Sequence, residues 1–131
     1  MTIVSSPRDL EIDSVKLEGR WWGPPPDEAP TLVMLHEGLG CVGLWGDFPA
    51  RVAAATGCGV FAYSRAGYGK SDSVALPRAL SYTHDEARET LPRILDAIGF
   101  RRGALVGHSD GASIALIHAG AVADPRVQGV S

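Results

Sequence analysis

One short stretch of the sequence groups residue types that nucleophilic catalysis needs. Ser109 lies between His108 and Asp110, and Gly107 and Gly111 flank the three. A serine in the pattern G-x-S-x-G is held on a sharp turn between a strand and a helix, because the two glycines leave room for neighbouring backbone. Such a turn would expose the hydroxyl of Ser109 as a nucleophile. It would also place the N–H of Asp110 at a helix start, where it can bind an oxyanion.

The pattern alone has little specificity. With ten serines and sixteen glycines in 131 residues, G-x-S-x-G arises by chance in about one of seven such chains. A plain turn serine therefore stays open as an alternative on this stretch by itself. The surroundings favour the nucleophile, since an apolar run precedes the motif and the small residues Ala112 and Ala115 follow it, as close packing of a helix on a sheet requires.

Strands and helices alternate along the predicted chain. Short apolar runs predict strands buried on both faces at 31–36, 58–64 and 103–108, and a fourth strand begins within 124–131. Helical patterns separate these strands, at 49–57, 83–98 and 111–123. The alternating residues 14–22 predict a strand at an exposed edge of the sheet, followed by a Pro-rich loop.

The helix predicted at 83–98 has the clearest pattern. Thr83 and Glu86 have the spacing of a capping box. One apolar stripe follows, formed by Ala87, Leu91, Ile94, Leu95 and Ile98. Pro92 lies inside the pattern and is expected to kink or divide the helix.

This alternation predicts the α/β class, as a three-layer α/β/α fold with a mostly parallel sheet that is incomplete within these residues. Ligands of such folds bind at the carboxyl ends of the strands. The unusual residues of the chain lie at those ends, in the segments 36–38, 64–65 and 108–110.

Composition limits the classes of partner. A chain that is 45% hydrophobic and 21% charged is expected to form one globular domain. The net charge of −3 without a run of one sign predicts neither a nucleic-acid nor a membrane partner. Cys41 and Cys58 are isolated and are predicted to be free thiols rather than metal ligands. The first residues lack the pattern of a signal peptide, so a cytoplasmic location is expected.

With these motifs in view, the chain resembles the serine-hydrolase branch of the α/β-hydrolase superfamily. "TLVMLHEGLG" resembles the strand and oxyanion loop of that family, with Glu37 where glycine is usual. "YSRAGYGKSD" resembles its D-x-R-G-x-G-x-S loop, with Ser64 for the usual Asp and Ala66 inserted before Gly67. "LVGHSDGA" resembles its nucleophile elbow, and "DPRVQGV" resembles the approach to the following strand.

The resemblance implies an enzyme that hydrolyses a small ester, thioester or lactone by acyl transfer, without a metal or organic cofactor. It implies that Ser109 is the nucleophile. The oxyanion would be bound by the N–H of Asp110 and by that of Gly38 or Leu39. Glu37 departs from the family pattern, and it is expected either to alter the second donor or to shape the substrate pocket.

A catalytic base and its carboxylate partner are missing from this scheme. None of the four histidines, His36, His84, His108 and His118, is expected to act as the base. Residues 1–131 are therefore predicted to form the N-terminal part of a single hydrolase domain. Alone, this part is expected to be weak or inactive and able to self-associate through an exposed sheet edge.

Two alternatives stay open. Gly38, Gly40 and Gly43 form G-x-G-x-x-G between a strand and a helix. With Ser64-Arg65 at the end of the next strand, they could bind NADP as in a Rossmann domain. The second alternative is a non-catalytic binding protein on the hydrolase scaffold.

Overall fold

The structure is a computed structural model that describes residues 3–37, 40–72 and 82–131. In this part of the chain the strands are β1 (Ser5–Pro7), β2 (Leu10–Ile12), β3 (Val15–Leu17), β4 (Gly19–Trp22), β5 (Thr31–Leu35), β6 (Gly59–Tyr63), β7 (Gly103–Gly107) and β8 (Val127–Val130). The helices are α1 (Phe48–Thr56), α2 (Tyr82–Asp85), α3 (Leu91–Ala97) and α4 (Asp110–Ile117). A 3-10 turn covers Val42–Trp45, and π-helical turns cover Glu86–Thr90 and His118–Val122.

Six strands form one sheet in the order β1-β4-β6-β5-β7-β8. The four strands β6, β5, β7 and β8 are parallel, whereas β4 pairs antiparallel with β6, and β1 antiparallel with β4. β2 and β3 form a separate two-stranded sheet. The three central strands correspond to the apolar runs of the sequence, and β8 confirms the strand predicted within 124–131.

Side chains of the sheet alternate between two apolar cores. Val33 and Leu35 of β5 belong to the core under α3 and α4, whereas Met34 between them belongs to the core under α1. Phe61 and Ala62 of β6 divide in the same way. Helices thus cover both faces of a mostly parallel sheet, and the predicted three-layer α/β fold is confirmed.

The prediction of one exposed-edge strand at 14–22 is wrong. The segment divides at Glu18 into β3 and β4, which belong to different sheets. β4 lies between β1 and β6 rather than at the edge. The alternating pattern is that of β3, where Val15 and Leu17 pack on a core and Lys16 between them is exposed. In β4 the adjacent Trp21 and Trp22 pack against opposite cores.

The helix predicted at 83–98 is present but divided. A π-helical turn at Glu86–Thr90 separates α2 from α3, and Pro92 lies in the first turn of α3. The proline has no N–H and its ring crowds the preceding turn, so a wider turn is accommodated just before it. The capping-box prediction is wrong: Thr83 lies inside α2, and the buried carboxylate of Glu86 accepts a hydrogen bond from the hydroxyl of Tyr63.

Strand order separates this fold from the Rossmann alternative. After β5 and β6 the chain crosses to the other side of β5, where β7 pairs with it. In the Rossmann order the third strand would lie beside the second. The crossing creates a crevice at the carboxyl end of β5, between β6 and β7, and ligands of parallel sheets bind at such a position. In the described residues no helix is long and apolar enough to cross a membrane.

Candidate active site

The turn between β7 and α4 has the strained geometry of a nucleophile elbow. β7 ends at Gly107 and α4 begins at Asp110, so Ser109 has to reverse the chain direction within two residues. Its backbone angles are φ 55° and ψ −110°. L-amino acids seldom adopt this region, and holding one there costs about 1–3 kcal/mol. The side chain of Ser109 is exposed at the sheet edge, as the sequence predicts.

The two glycines of the motif are required by close backbone contacts. A Cβ at Gly107 would lie 2.5 Å from the backbone of Ala112 in α4. A Cβ at Gly111 would lie 2.0 Å from the carbonyl oxygen of Leu35 at the end of β5. The tight packing that these glycines allow brings α4 against the carboxyl end of the sheet. The N–H of Asp110, at the first position of α4, has no acceptor within that helix and is available to an anion beside Ser109.

The guanidinium of Arg65 connects the elbow to the loop that follows β5. Its side chain is 0% exposed and forms an ion pair with Asp110, from Nη2 to Oδ2 at 3.2 Å. The same group donates to the carbonyl oxygens of His36 (2.7 Å) and Glu37 (3.2 Å). Its Nε donates to the hydroxyl of Tyr82 at 2.7 Å. One buried cation therefore fixes the first residue of α4 relative to the start of the predicted oxyanion loop.

His36 completes this attachment, and both of its ring nitrogens form hydrogen bonds there. Its Nδ1 lies 2.6 Å from the carbonyl oxygen of Glu37, which can only accept, so Nδ1 carries the proton. The unprotonated Nε2 then accepts the backbone N–H of Arg65 at 2.9 Å. His36 supports the loop through these two hydrogen bonds. Gly38 and Leu39, the predicted second oxyanion donors, lie outside the described residues.

Directly after β6, Ser64 stands where the family pattern has aspartate, and it contacts the loop that follows β5. The Ser64 hydroxyl accepts the N–H of Val42 at 2.9 Å and donates to Oε1 of Glu18 at 2.8 Å. The negative charge comes from Glu18, between β3 and β4, instead of from residue 64. The loop is thereby attached to the sheet on both sides of residues 38 and 39.

The other three histidines differ in exposure and contacts. His84 is exposed on α2. His118 is buried, and neither ring nitrogen has a hydrogen-bond partner among the described residues. Burial lowers the pKa of His118, and nearby Arg126 lowers it further against the opposite effect of Asp124. His108 is 64% exposed and its Nδ1 lies 3.8 Å from Oε2 of Glu37.

The described residues also bear on the cysteines and on metal binding. Cys41 and Cys58 are free. Within residues 3–37, 40–72 and 82–131, no three His, Cys, Asp or Glu side chains are arranged to hold a metal ion. The Rossmann alternative needs Arg65 at the surface, and the burial of its guanidinium removes that phosphate ligand.

Sequence reasoning missed the central position of Arg65. Its place directly after a buried strand was a usable signal, because a charged residue at the carboxyl end of a parallel strand points to the site. The acceptors could not be foreseen, since two of them are main-chain carbonyl groups. The hydroxyl of Tyr82 was missed for the same reason: it reaches the site from α2, 17 residues further along the chain.

Solved structures share this architecture. A predicted CIB-like hydrolase from Thermoplasma acidophilum superposes with a TM-score of 0.79, at 18% identity, over 98% of this chain and 61% of that one. The epoxide hydrolase VrEH1 from Vigna radiata gives 0.77 at 19% identity, over 96% and 38%. The thioesterase domain from the curacin biosynthetic pathway gives 0.77 at 26% identity, over 97% and 45%. This chain thus spans 61% of the first structure and less than half of the other two.

A comparison with curated proteins found no match. A family model does match, and it covers β5 from its second residue onward, the strands β6 to β8, the elbow and the loop after β5. The model is that of the alpha/beta hydrolase family, and it aligns with residues 32–131. The chain belongs to the alpha/beta hydrolase family.

Proposed function

We propose that this protein is a serine hydrolase that cleaves a small ester, thioester or lactone through an acyl-enzyme on Ser109. The observation that carries the proposal is the strained, exposed serine at φ 55° between β7 and α4. At a plain surface turn, glycine could take the place of the serine and would adopt this conformation without strain. Its persistence at the carboxyl end of a parallel sheet points to a chemical role for the hydroxyl.

The reaction assigns a part to each group near Ser109. The hydroxyl oxygen attacks the substrate carbonyl while a base takes its proton, and the leaving alcohol or thiol departs when the tetrahedral intermediate collapses. The N–H of Asp110, together with that of Gly38 or Leu39, binds the oxyanion. Water then releases the acyl group. Serine at the elbow favours acyl transfer over the aspartate chemistry of epoxide opening.

We propose that none of the four histidines is the base. Both nitrogens of His36 are bonded, His118 is buried, and His84 is on the surface. His108 adjoins Ser109, but neighbouring side chains of an extended segment point to opposite faces, and its Nδ1 lies 3.8 Å from Glu37. The solved neighbours are longer than this chain. We propose that a longer form of the protein supplies the base and its carboxylate from further segments, as the chain order of this family implies.

Labelling with a fluorophosphonate probe tests the proposal, in the 131-residue chain and in the product of the complete open reading frame. Ser109→Ala is expected to abolish labelling and ester hydrolysis. The matched control is Ser113→Ala, because Ser113 is an exposed serine one turn further along α4. Labelling that survives in Ser109→Ala would remove this residue from the chemistry. Absence of labelling in both unmodified proteins would favour the non-catalytic alternative.

A further inference from the structure

Glu37 is the residue of the site that the proposed reaction does not use. Its carboxylate is 44% exposed and faces His108, the neighbour of the nucleophile. Glu37 thus lies beside the residue that precedes Ser109, and a negative charge there raises the energy of an oxyanion formed at Ser109, since like charges repel. A compensating positive charge would remove this effect.

Among the described residues, no Lys or Arg side chain forms an ion pair with the Glu37 carboxylate that would supply such a charge. The carboxylate of Asp110 is already neutralised by Arg65, whose other donors are bound to His36, Glu37 and Tyr82. The one ionic contact found for Glu37 is the imidazole of His108 at 3.8 Å, and that ring compensates a carboxylate only when it is protonated. Glu37 is thus free to pair with a cation that arrives with the substrate.

A small cavity beside Glu37 has the size and lining for such a cation. Its volume is about 40 Å³, and around it stand Glu37, His108, Cys41, Leu44 and Trp45. By this kind of measure about 10–15 Å³ holds one water molecule, so the cavity has room for one small group such as an ammonium or a methyl. Trp45 also lines the cavity, and aromatic rings attract cations. Among these lining residues Glu37 has the only permanent formal charge.

We infer that this cavity binds a primary ammonium group of the substrate, so that the enzyme prefers esters or thioesters carrying an amino group a few atoms from the scissile carbonyl. The inference rests on the proposed serine hydrolysis for the role of the bound group. The contact of the ammonium with Glu37 cancels the charge that would oppose the oxyanion, and it contributes binding energy at the same time. A substrate with a methyl group in place of the ammonium fits the space without either effect.

Binding is tested first, without reliance on catalysis. The indole N–H signal of Trp45, identified by its loss in Trp45→Phe, is followed by NMR during titration with propylammonium and, separately, with 1-propanol at about pH 7.5, above the pKa of an ordinary imidazole. We expect a saturable shift with propylammonium and affinity about fivefold weaker in Glu37→Gln, as for a half-exposed ion pair. Glu28→Gln, on an exposed loop, is the matched control and should bind as the unmodified protein does. Equal responses to the two compounds, or no effect of Glu37→Gln, would overturn the inference.

Acylation then separates this inference from the proposed function. In the product of the complete open reading frame, mass spectrometry compares modification of Ser109 by p-nitrophenyl β-alaninate and by p-nitrophenyl butanoate, which carry an ammonium and a methyl group at the same position. We expect about fivefold faster acylation by the ammonium ester, and loss of that preference in Glu37→Gln. Equal acylation by both esters refutes the ammonium site and leaves the serine mechanism intact. Binding of propylammonium with no acylation by either ester refutes the substrate role of the cavity together with the proposed function.

Discussion

Ser109 keeps a backbone conformation that glycine adopts without strain. We therefore expect Ser109→Gly to raise the free energy of unfolding by about 1 kcal/mol, because relief of about 1–3 kcal/mol of strain exceeds the roughly 0.5–1 kcal/mol of extra chain entropy that glycine loses on folding. Urea unfolding measures the change. Ser109→Ala removes the same hydroxyl and keeps the strain, so it should leave stability nearly unchanged. A higher free energy of unfolding in both variants would mean that the hydroxyl, rather than backbone strain, destabilises the unmodified protein.

The second prediction at this scale concerns Arg65. Arg65→Met leaves the carboxylate of Asp110 and the carbonyl oxygens of His36 and Glu37 without their donor. Breaking a buried pair on one side is expected to lower the free energy of unfolding by about 3 kcal/mol.

Arg51→Met is the matched control for Arg65→Met. Arg51 also pairs with an aspartate, Asp47, but the two side chains are 79% and 75% exposed. Its loss should change stability by less than about 0.5 kcal/mol in the same urea experiment. Similar losses in the two variants would contradict a special position for Arg65.

The single residues of the site differ in how far the sequence reveals them. The strained turn at Ser109 was predictable because it needs glycines at two other positions, and all three positions lie within one segment of five residues. The contacts of Arg65 join residues from 17 to 45 positions apart. Spacing within one motif cannot predict such contacts, because they depend on how the strands are ordered.

At the scale of elements, the approach of α4 to the end of β5 decides whether the elbow forms. Gly111→Ala would place a Cβ 2.0 Å from the carbonyl oxygen of Leu35, so the helix has to move away from the sheet. We expect a loss of about 3 kcal/mol or more in the free energy of unfolding, the upper range for overpacking. Thermal unfolding followed by circular dichroism would measure it.

Gly120→Ala is the control on the same helical segment, because a Cβ at Gly120 meets no atom within 4 Å. Alanine has the higher helix propensity, so this variant should be more stable by about 0.5–1 kcal/mol. If Gly111→Ala were tolerated as well, the packing of α4 on β5 would be looser than these distances state.

Elements were predicted best where one periodicity persists. The continuous apolar runs of β5, β6 and β7 indicated strands buried on both faces, and Pro92 marked the division between α2 and α3. The segment 14–22 was misassigned because two short strands joined at Glu18 keep a single alternating pattern, although they belong to different sheets. Pairing partners, rather than local propensity, decide such a case.

At the scale of the whole molecule, the buried imidazole of His118 links stability to pH. Its pKa lies below the ordinary value of 6.5 in the folded chain, because burial disfavours the charged form. Below the ordinary pKa the unfolded chain binds a proton that the folded chain resists. The contribution of His118 to the free energy of unfolding should therefore be present in full above about pH 7, and it should decrease as the pH falls below that value.

Urea unfolding at several pH values tests this, with His118→Leu expected to remove the decrease. His84→Gln changes an exposed histidine and should keep it. Asp124 has a lowered pKa through its hydrogen bonds with Arg126, so its contribution is lost only below its ordinary value of 3.8 and does not overlap this range. A pH dependence that persists in His118→Leu would assign it to other groups.

The two edges of the six-stranded sheet differ. β1 carries Pro7, which has no N–H to offer a further strand, whereas β8 has neither proline nor charge over Val127–Val130. We expect the 131-residue chain to self-associate through β8, and Val130→Lys to reduce the association in sedimentation velocity experiments. A chain that stays monomeric at high concentration, or association unaffected by this variant, would contradict the expectation.

The attachment of three chain segments to one guanidinium has a consequence for sequence divergence. A change at residue 65 leaves acceptors unpaired after β5, on α2 and at the start of α4. Such a change is tolerated only together with changes in those segments. The side-chain partners of Arg65 are Tyr82 and Asp110. In an alignment of relatives, positions 65, 82 and 110 should therefore vary as a set, and a lineage that has lost the arginine should carry other residues at all three.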